Sequence, residues 1–221
     1  MRLPMQARST ASLAVLVIAG ALLLTACSGD VNSPTGLAPV APSMSKAPSH
    51  FNPGKGNKKV LGPGETQVYV FTIDPRADNV LDMGTQMLEM PANAVCGAGS
   101  GYGTGTWTKP CAPETKPVTI TATVIGTATL PRVEFQPAMR FNPNAADVQL
   151  YMFAKHASAS DARAFDILYC AGTSNSNCKD ESTDDASLIT RYSTRANEVF
   201  RKIRHFSGYV VAERGENGEL P

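Results

Sequence analysis

Val118-Thr119-Ile120-Thr121-Ala122-Thr123-Val124 sets Val118, Ile120, Ala122 and Val124 on one side of an extended backbone and three threonines on the other. Successive side chains of a strand point to opposite faces, so such a segment packs one face and wets the other. Gln67-Val68-Tyr69-Val70-Phe71-Thr72-Ile73 alternates in the same way and stops at Asp74-Pro75. Neither segment repeats its apolar positions at the helical spacing of three and four residues. Antiparallel sheet with one solvated face is the first expectation.

Outward from these two, the chain continues as short apolar and β-branched runs cut by turn residues. Asn79 to Met83 is closed by Gly84, and Gln86 to Met90 by Pro91. Arg132 to Gln136, Asp147 to Ala154, Ala164 to Cys170, Ser187 to Tyr192, Asn197 to Ile203 and Ser207 to Glu213 follow. This many strands with no long helical segment predicts an all-β domain over residues 60–213, an antiparallel β-sandwich. Thr194 to Arg204 also fits helical spacing through Val199, Phe200 and Ile203, so a helix stays open there. A domain of about 150 residues buries about 70% of its unfolded surface and needs no partner to fold. Met83, Met87 and Met90 have the spacing of a soft-metal helix, but Gly84 and Pro91 bracket them too tightly for one, and they are expected to fill the core. Residues 214–221 read as a polar, frayed tail.

The N-terminal part is of another kind. Arg2 and Arg8 precede Leu13 to Leu24, a run of 12 residues with no charged or polar side chain. At about 1.5 Å per residue a helix of it reaches about 18 Å, short of a hydrocarbon core of about 30 Å, so it reads as a signal peptide over residues 1–26. Leu24-Thr25-Ala26-Cys27 resembles the processing site of bacterial lipoproteins, where the cysteine is acylated and becomes the mature N-terminus. That resemblance implies a lipid anchor on Cys27, a palmitate-type modification and attachment to the cell envelope. Ser28 in place of aspartate resembles the pattern for the outer membrane if the source has two membranes. Residues 27–59 hold Pro34, Pro39, Pro42, Pro48 and Pro53 at spacings that forbid a regular element, and so form a disordered Pro/Ser-rich tether. Such a tether spans about 30 Å as a coil and nearly 100 Å as extended polyproline.

The sequence carries 20 Lys plus Arg against 19 Asp plus Glu; losing Arg2 and Arg8 with the leader makes that 18 against 19. So balanced a charge offers no footprint for nucleic acid. One of the 5 cysteines is assigned to lipid, which leaves an even set, as expected of an exported chain. Three pairings are possible; sequence neighbours suggest Cys96 with Cys111 and Cys170 with Cys178. The wide spacings lack the knuckles of structural zinc, and neither a metal nor a cofactor beyond the Cys27 lipid is expected.

Four blocks carry a family resemblance: Glu89-Met90-Pro91-Ala92-Asn93-Ala94; Pro117-Val118-Thr119-Ile120-Thr121; Val133-Glu134-Phe135-Gln136-Pro137 with Arg140-Phe141-Asn142-Pro143; and His205-Phe206-Ser207-Gly208-Tyr209-Val210. Together, over roughly Leu81 to Ala212, they resemble the ZU5 domain, a β-sandwich of scaffolding and receptor proteins. The Cys96 to Cys111 insert and the loop from Cys170 to Asp185 depart from the pattern. The resemblance implies an interaction module and not an enzyme; with the lipid anchor, the expectation is a monomeric, non-enzymatic protein- or glycan-binding module with an envelope protein or glycan as partner.

The resemblance also brings one reaction. In some ZU5-containing proteins a similar His-Phe-Ser cleaves itself, which would make Ser207 the nucleophile, His205 the base and Phe206-Ser207 the broken bond. The plain alternative is the start of a strand, with Phe206 packed and Ser207 bonded locally. The run from Gly97 to Trp107 matches no phosphate-loop or nucleophile-elbow spacing. It reads as a mobile, disulfide-closed loop that offers Tyr102 and Trp107 to a partner, or as a hairpin whose Trp107 folds back on the sandwich. Asp180, Glu181, Asp184 and Asp185 lack the spacing of an EF-hand and read as a solvated acidic run. His50 and His156 stand in no zinc motif, and nothing selects a Ser-His-Asp triad.

Overall fold

The structure, a computed structural model, describes residues 61–126, 131–153, 164–172, 177–192 and 198–213. The expected leader, lipidated Cys27, tether and tail, together with His50, His156 and the N-terminal half of the helical alternative, lie outside them.

Eleven strands follow in order among the described residues: β1 (Thr66–Ile73), β2 (Asn79–Asp82), β3 (Gln86–Met90), β4 (Val118–Ile125), β5 (Arg132–Gln136), β6 (Gln149–Phe153), β7 (Phe165–Cys170), β8 (Cys178–Lys179), β9 (Arg191–Tyr192), β10 (Glu198–Lys202) and β11 (Gly208–Glu213). They form two antiparallel sheets, one in the order β1-β4-β5-β11-β7-β8 and the other β2-β3-β6-β10-β9. The expected all-β sandwich is what forms. Residues 198–202 are strand, so the helical reading fails there: Val199 pairs with Met152 and Arg201 with Leu150. The run expected as one strand from Ser187 to Tyr192 is instead a 3-10 turn, Ala186–Leu188, followed by the two-residue β9. Asp185 caps that turn by accepting from the Ser187 amide, which competes with extension.

The periodicity becomes register. Ile120, Ala122 and Val124 of β4 lie in the core, opposite Phe71, Tyr69 and Gln67 of β1, while Thr119, Thr121 and Thr123 face outward beside Thr72, Val70 and Val68. The core between the sheets joins Leu81, Leu88, Leu150, Met152 and Val199 on one side to Ile120, Val133, Phe135, Ile167, Tyr209 and Val211 on the other. Met83 and Met90 fill that core, while Met87 packs with Tyr151 on the opposite face of its sheet. Gly84, at φ 82°, makes the β2–β3 turn, a backbone state that a side chain disfavours.

The two sheets are also tied by a charge. Arg201 is fully buried on β10 and donates from Nη1 to the Ile167 carbonyl of β7 at 2.6 Å. Disulfides join Cys96 to Cys111 and Cys170 to Cys178, the two neighbour pairings. No helix of the described residues is long and apolar enough to cross a membrane.

Candidate functional site

His205-Phe206-Ser207 leads from β10 into β11 through the deepest part of the sandwich. The Phe206 amide donates to the Met139 carbonyl at 2.7 Å, and the Ser207 carbonyl accepts from the Phe135 amide at 3.0 Å. Phe206 is buried, with its ring stacked on Phe135 at 4.8 Å and edge-on to Phe141 at 5.0 Å. Gly208 sits in a tight place: a Cβ there would lie 3.0 Å from Arg132 Nη2 and 3.3 Å from the Cys170 carbonyl oxygen.

His205 has no solvent exposure. Its Nε2 is 3.2 Å from Glu181 Oε1, and Glu181 Oε2 accepts from Arg201 Nη2 at 3.0 Å. Burial pushes the Glu181 carboxyl up, but the His205 hydrogen bond and the charges of His205, Arg201 and Arg204 together outweigh it and hold the group below the ordinary value. The carboxylate is therefore ionised at neutral pH. Trp107 covers the imidazole, nearly parallel to it at 3.8 Å between ring centres, and Tyr169 meets it edge-on at 4.7 Å. The His205 carbonyl accepts from Tyr209 Oη at 2.7 Å, so main chain and side chain are both fixed.

Tyr102 completes the group. Its hydroxyl donates to the Phe206 carbonyl oxygen at 2.6 Å and stands 3.4 Å from His205 Nδ1. Burial, then the proximity of Tyr169, raise its pKa to about 12, with a hydrogen bond to Ser207 pulling the other way. The phenol thus stays a donor at working pH. Ser207 Oγ donates to the Cys170 carbonyl at 3.1 Å.

Tyr102 and Trp107 arrive on the Cys96–Cys111 insert, whose carbonyls are held by one side chain. Buried Arg140 donates to four of its carbonyls: Ser100 and Gly101 from Nε, Thr106 from Nη1 at 2.9 Å and Lys109 from Nη1 at 2.6 Å. A five-donor guanidinium replaces the ladder that the insert lacks. Trp107 folds back on the sandwich, 6% exposed and stacked on His205, whereas Tyr102 is 43% exposed. A second correction concerns the acidic run. Glu181 is buried at the centre of the site, while Asp180 and Asp185 cap 3-10 turns.

Sequence reading missed Arg140, Glu181 and Arg201, because each is buried through a partner distant in the chain. Among the described residues, no three His, Cys, Asp or Glu side chains converge as a metal site. His205 is buried beneath Trp107, next to the Phe206-Ser207 bond in the chain.

Two cavities flank the insert. One of about 290 Å³ touches Gly101, Tyr102, Glu114, Met139 and Arg140. The other, of about 120 Å³, lies on the Trp107 side. Elsewhere, on β1, Val68 is 58% and Val70 66% exposed, the highest values among the large apolar side chains of the described residues. Compared with known protein families and with curated proteins, the chain matches none at a meaningful level.

Proposed function

We propose that this chain is a lipid-anchored module of the cell envelope that works by binding and not by turnover. It carries a ZU5-like sandwich on a tether from acylated Cys27, in the outer membrane where the source has two. The observation that carries this reading is the open face of β1 and β4. Val68 and Val70 stand exposed beside Thr121 and Thr123, a β-branched surface, while His205 is buried. Exposed apolar side chains grouped on one sheet face favour contact with another surface. The partner is an envelope protein or glycan.

The test uses full-length protein in detergent against immobilised envelope extract and a glycan array. Retention that is lost on Val68→Lys with Val70→Lys, at unchanged folding, is the expected result. Equal retention by that variant overturns the reading.

One distance favours a second reading, self-processing. The 2.6 Å bond from Tyr102 to the Phe206 carbonyl would stabilise an oxyanion there. Ser207 Oγ would add to that carbon, its proton passing to His205. The C–N bond would then break as the amide nitrogen takes that proton, which frees the Ser207 amine and leaves an ester that water hydrolyses to a Phe206 carboxylate and the Ser207 hydroxyl. Intact mass spectrometry under denaturing conditions decides: a fragment beginning at Ser207, absent from Ser207→Ala, supports this, and a single uncut species ends it.

A further inference from the structure

Three of the edge strands of the two sheets are protected against pairing with another chain. β8 and β9 are two residues each and carry Lys179 and Arg191, and β2 is four residues long and ends at Asp82. Short length and charge are what keep a sheet edge from adding a strand. β1 has neither. It runs for eight residues, Thr66–Ile73, with no charge, no proline and an unbroken register on β4, and among the described residues β4 is its only strand neighbour.

The open side of β1 has a definite pattern. The Gly126 amide donates to the Glu65 carbonyl at 2.8 Å. Main-chain groups alternate sides along an antiparallel strand, so Gln67, Tyr69 and Phe71 turn theirs to β4 while Thr66, Val68, Val70 and Thr72 turn theirs to the open edge. We infer that β1 pairs antiparallel with β1 of a second copy of this chain, about a two-fold axis at Tyr69. Opposed side chains must share a face, so such an axis passes through a residue, and at Tyr69 every outward-turned residue finds its partner within the strand. Val68 then meets Val70 of the second copy and Thr66 meets Thr72, closing about eight main-chain hydrogen bonds.

The strand complements itself in packing and charge as well. On the outer face the exposed Val68 and Val70 of both copies lie together. On the inner face the half-buried Tyr69 and Phe71, stacked at 6.2 Å, gain the same two rings from the second copy. Glu65 and Asp74 fall opposite Ile73 and Gly64 of the second copy, so neither meets its own charge. The chain's preceding segment suits the edge poorly: residues 48–59 hold Pro48, Pro53, Lys55, Lys58 and Lys59, residues that keep a strand off an edge. Assembly stops at two, because the contact uses the β1 edge of both copies and the other edges are protected. This goes beyond the binding reading, which uses the face of β1 and not its edge, and it puts a dimer in place of the monomer that the sequence suggests.

Sedimentation equilibrium of full-length protein in density-matched detergent tests it. One strand pair is a small interface, so a mass of two chains is expected, with a dissociation constant on the order of 10 μM. Val68→Pro and Thr72→Pro each remove an amide that faces the open edge and leave the β4 ladder whole. Each should give the mass of one chain, with the sheet intact by circular dichroism. Tyr69→Cys should form a covalent dimer on mild oxidation, since opposed residues that share no hydrogen bond stand about 4.5 Å apart at Cα, within reach of a disulfide. Gln67→Cys, about 14 Å from its own copy in this register, should not.

The mass of one chain at ten times that concentration overturns the inference. So does a two-chain mass that both proline variants keep, as two anchors sharing a micelle would give, or an assembly larger than two. Equal cross-linking of the Tyr69→Cys and Gln67→Cys proteins overturns it too. If the protein sediments as one chain while envelope extract still retains it, the inference falls and the binding reading stands; pairing without retention gives the reverse.

Discussion

Glu181 sits in a sequence context, Asp180 to Asp185, that is all solvated charge to a reader of composition. What buries it is geometry that no local pattern carries: Arg201 comes 20 residues later on β10, and His205 follows on the way into β11. Removing one member of a buried pair strands the other, typically at about 3 to 5 kcal/mol. Glu181→Ala should therefore lower the urea midpoint more than any substitution at exposed Asp184. The same group gives a pH dependence. Its folded pKa lies below the unfolded value of about 4.3, so the folded state gains from the ionised form above that pH. Between the two values the unfolded chain binds more protons, and this share of stability is lost as pH falls through the folded pKa. Glu181→Gln should flatten the decline in stability below about pH 4.3, measured by urea unfolding at stepped pH. Tyr102→Phe removes the donor to the Phe206 carbonyl and should cost about 1 to 3 kcal/mol. Thermal melts of that variant check it.

At the scale of elements, strands were legible as short apolar or β-branched runs stopped by turn residues, whether one face is wet, as in β4, or both are largely buried, as in β3. Gln86–Met90 and Arg132–Gln136 have the bounds their flanking residues suggest, since Pro91 and the turn at Pro137 stop them. The insert was not legible. Gly97 to Gly105 carries no periodicity, and what orders it is Arg140, about forty residues on, together with the stacking of Trp107 on His205. Arginine in a stretch between two strands reads as surface, so the one residue that fixes the insert was hidden by its own charge. The two disulfides should then differ in consequence. The chain-entropy relation gives about 3 kcal/mol for closure across 15 residues and about 2.5 kcal/mol across 8. Cys96→Ser with Cys111→Ser should lower the melting temperature and shift Trp107 emission to the red, because the insert lifts off His205. Cys170→Ser with Cys178→Ser should lower it with little spectral change, since that bridge joins β7 to the edge strand β8.

For the molecule as a whole, the sandwich followed from its strand pattern, but the pairing order did not. β1 adjoins β4 and β11 lies between β5 and β7, neighbours that sequence order alone does not give. The outward face of β1 predicts a solution behaviour: Val68→Lys with Val70→Lys should leave stability within about 0.5 kcal/mol, as surface changes usually do. It should still abolish retention by envelope material in the binding assay. The position of β11 has a consequence in time. Its residues, Gly208 to Glu213, pair with β5 some 75 residues earlier and with β7 about 40 residues earlier. The larger sheet therefore has a gap at its centre until Glu213 has been synthesised, and Tyr209 and Val211 are missing from the core until then. Such long-range pairing is slow to form. While the chain is still being made it therefore cannot close its larger sheet, and every contact that β11 makes with β5 and β7 forms only at the end of synthesis of the described strands.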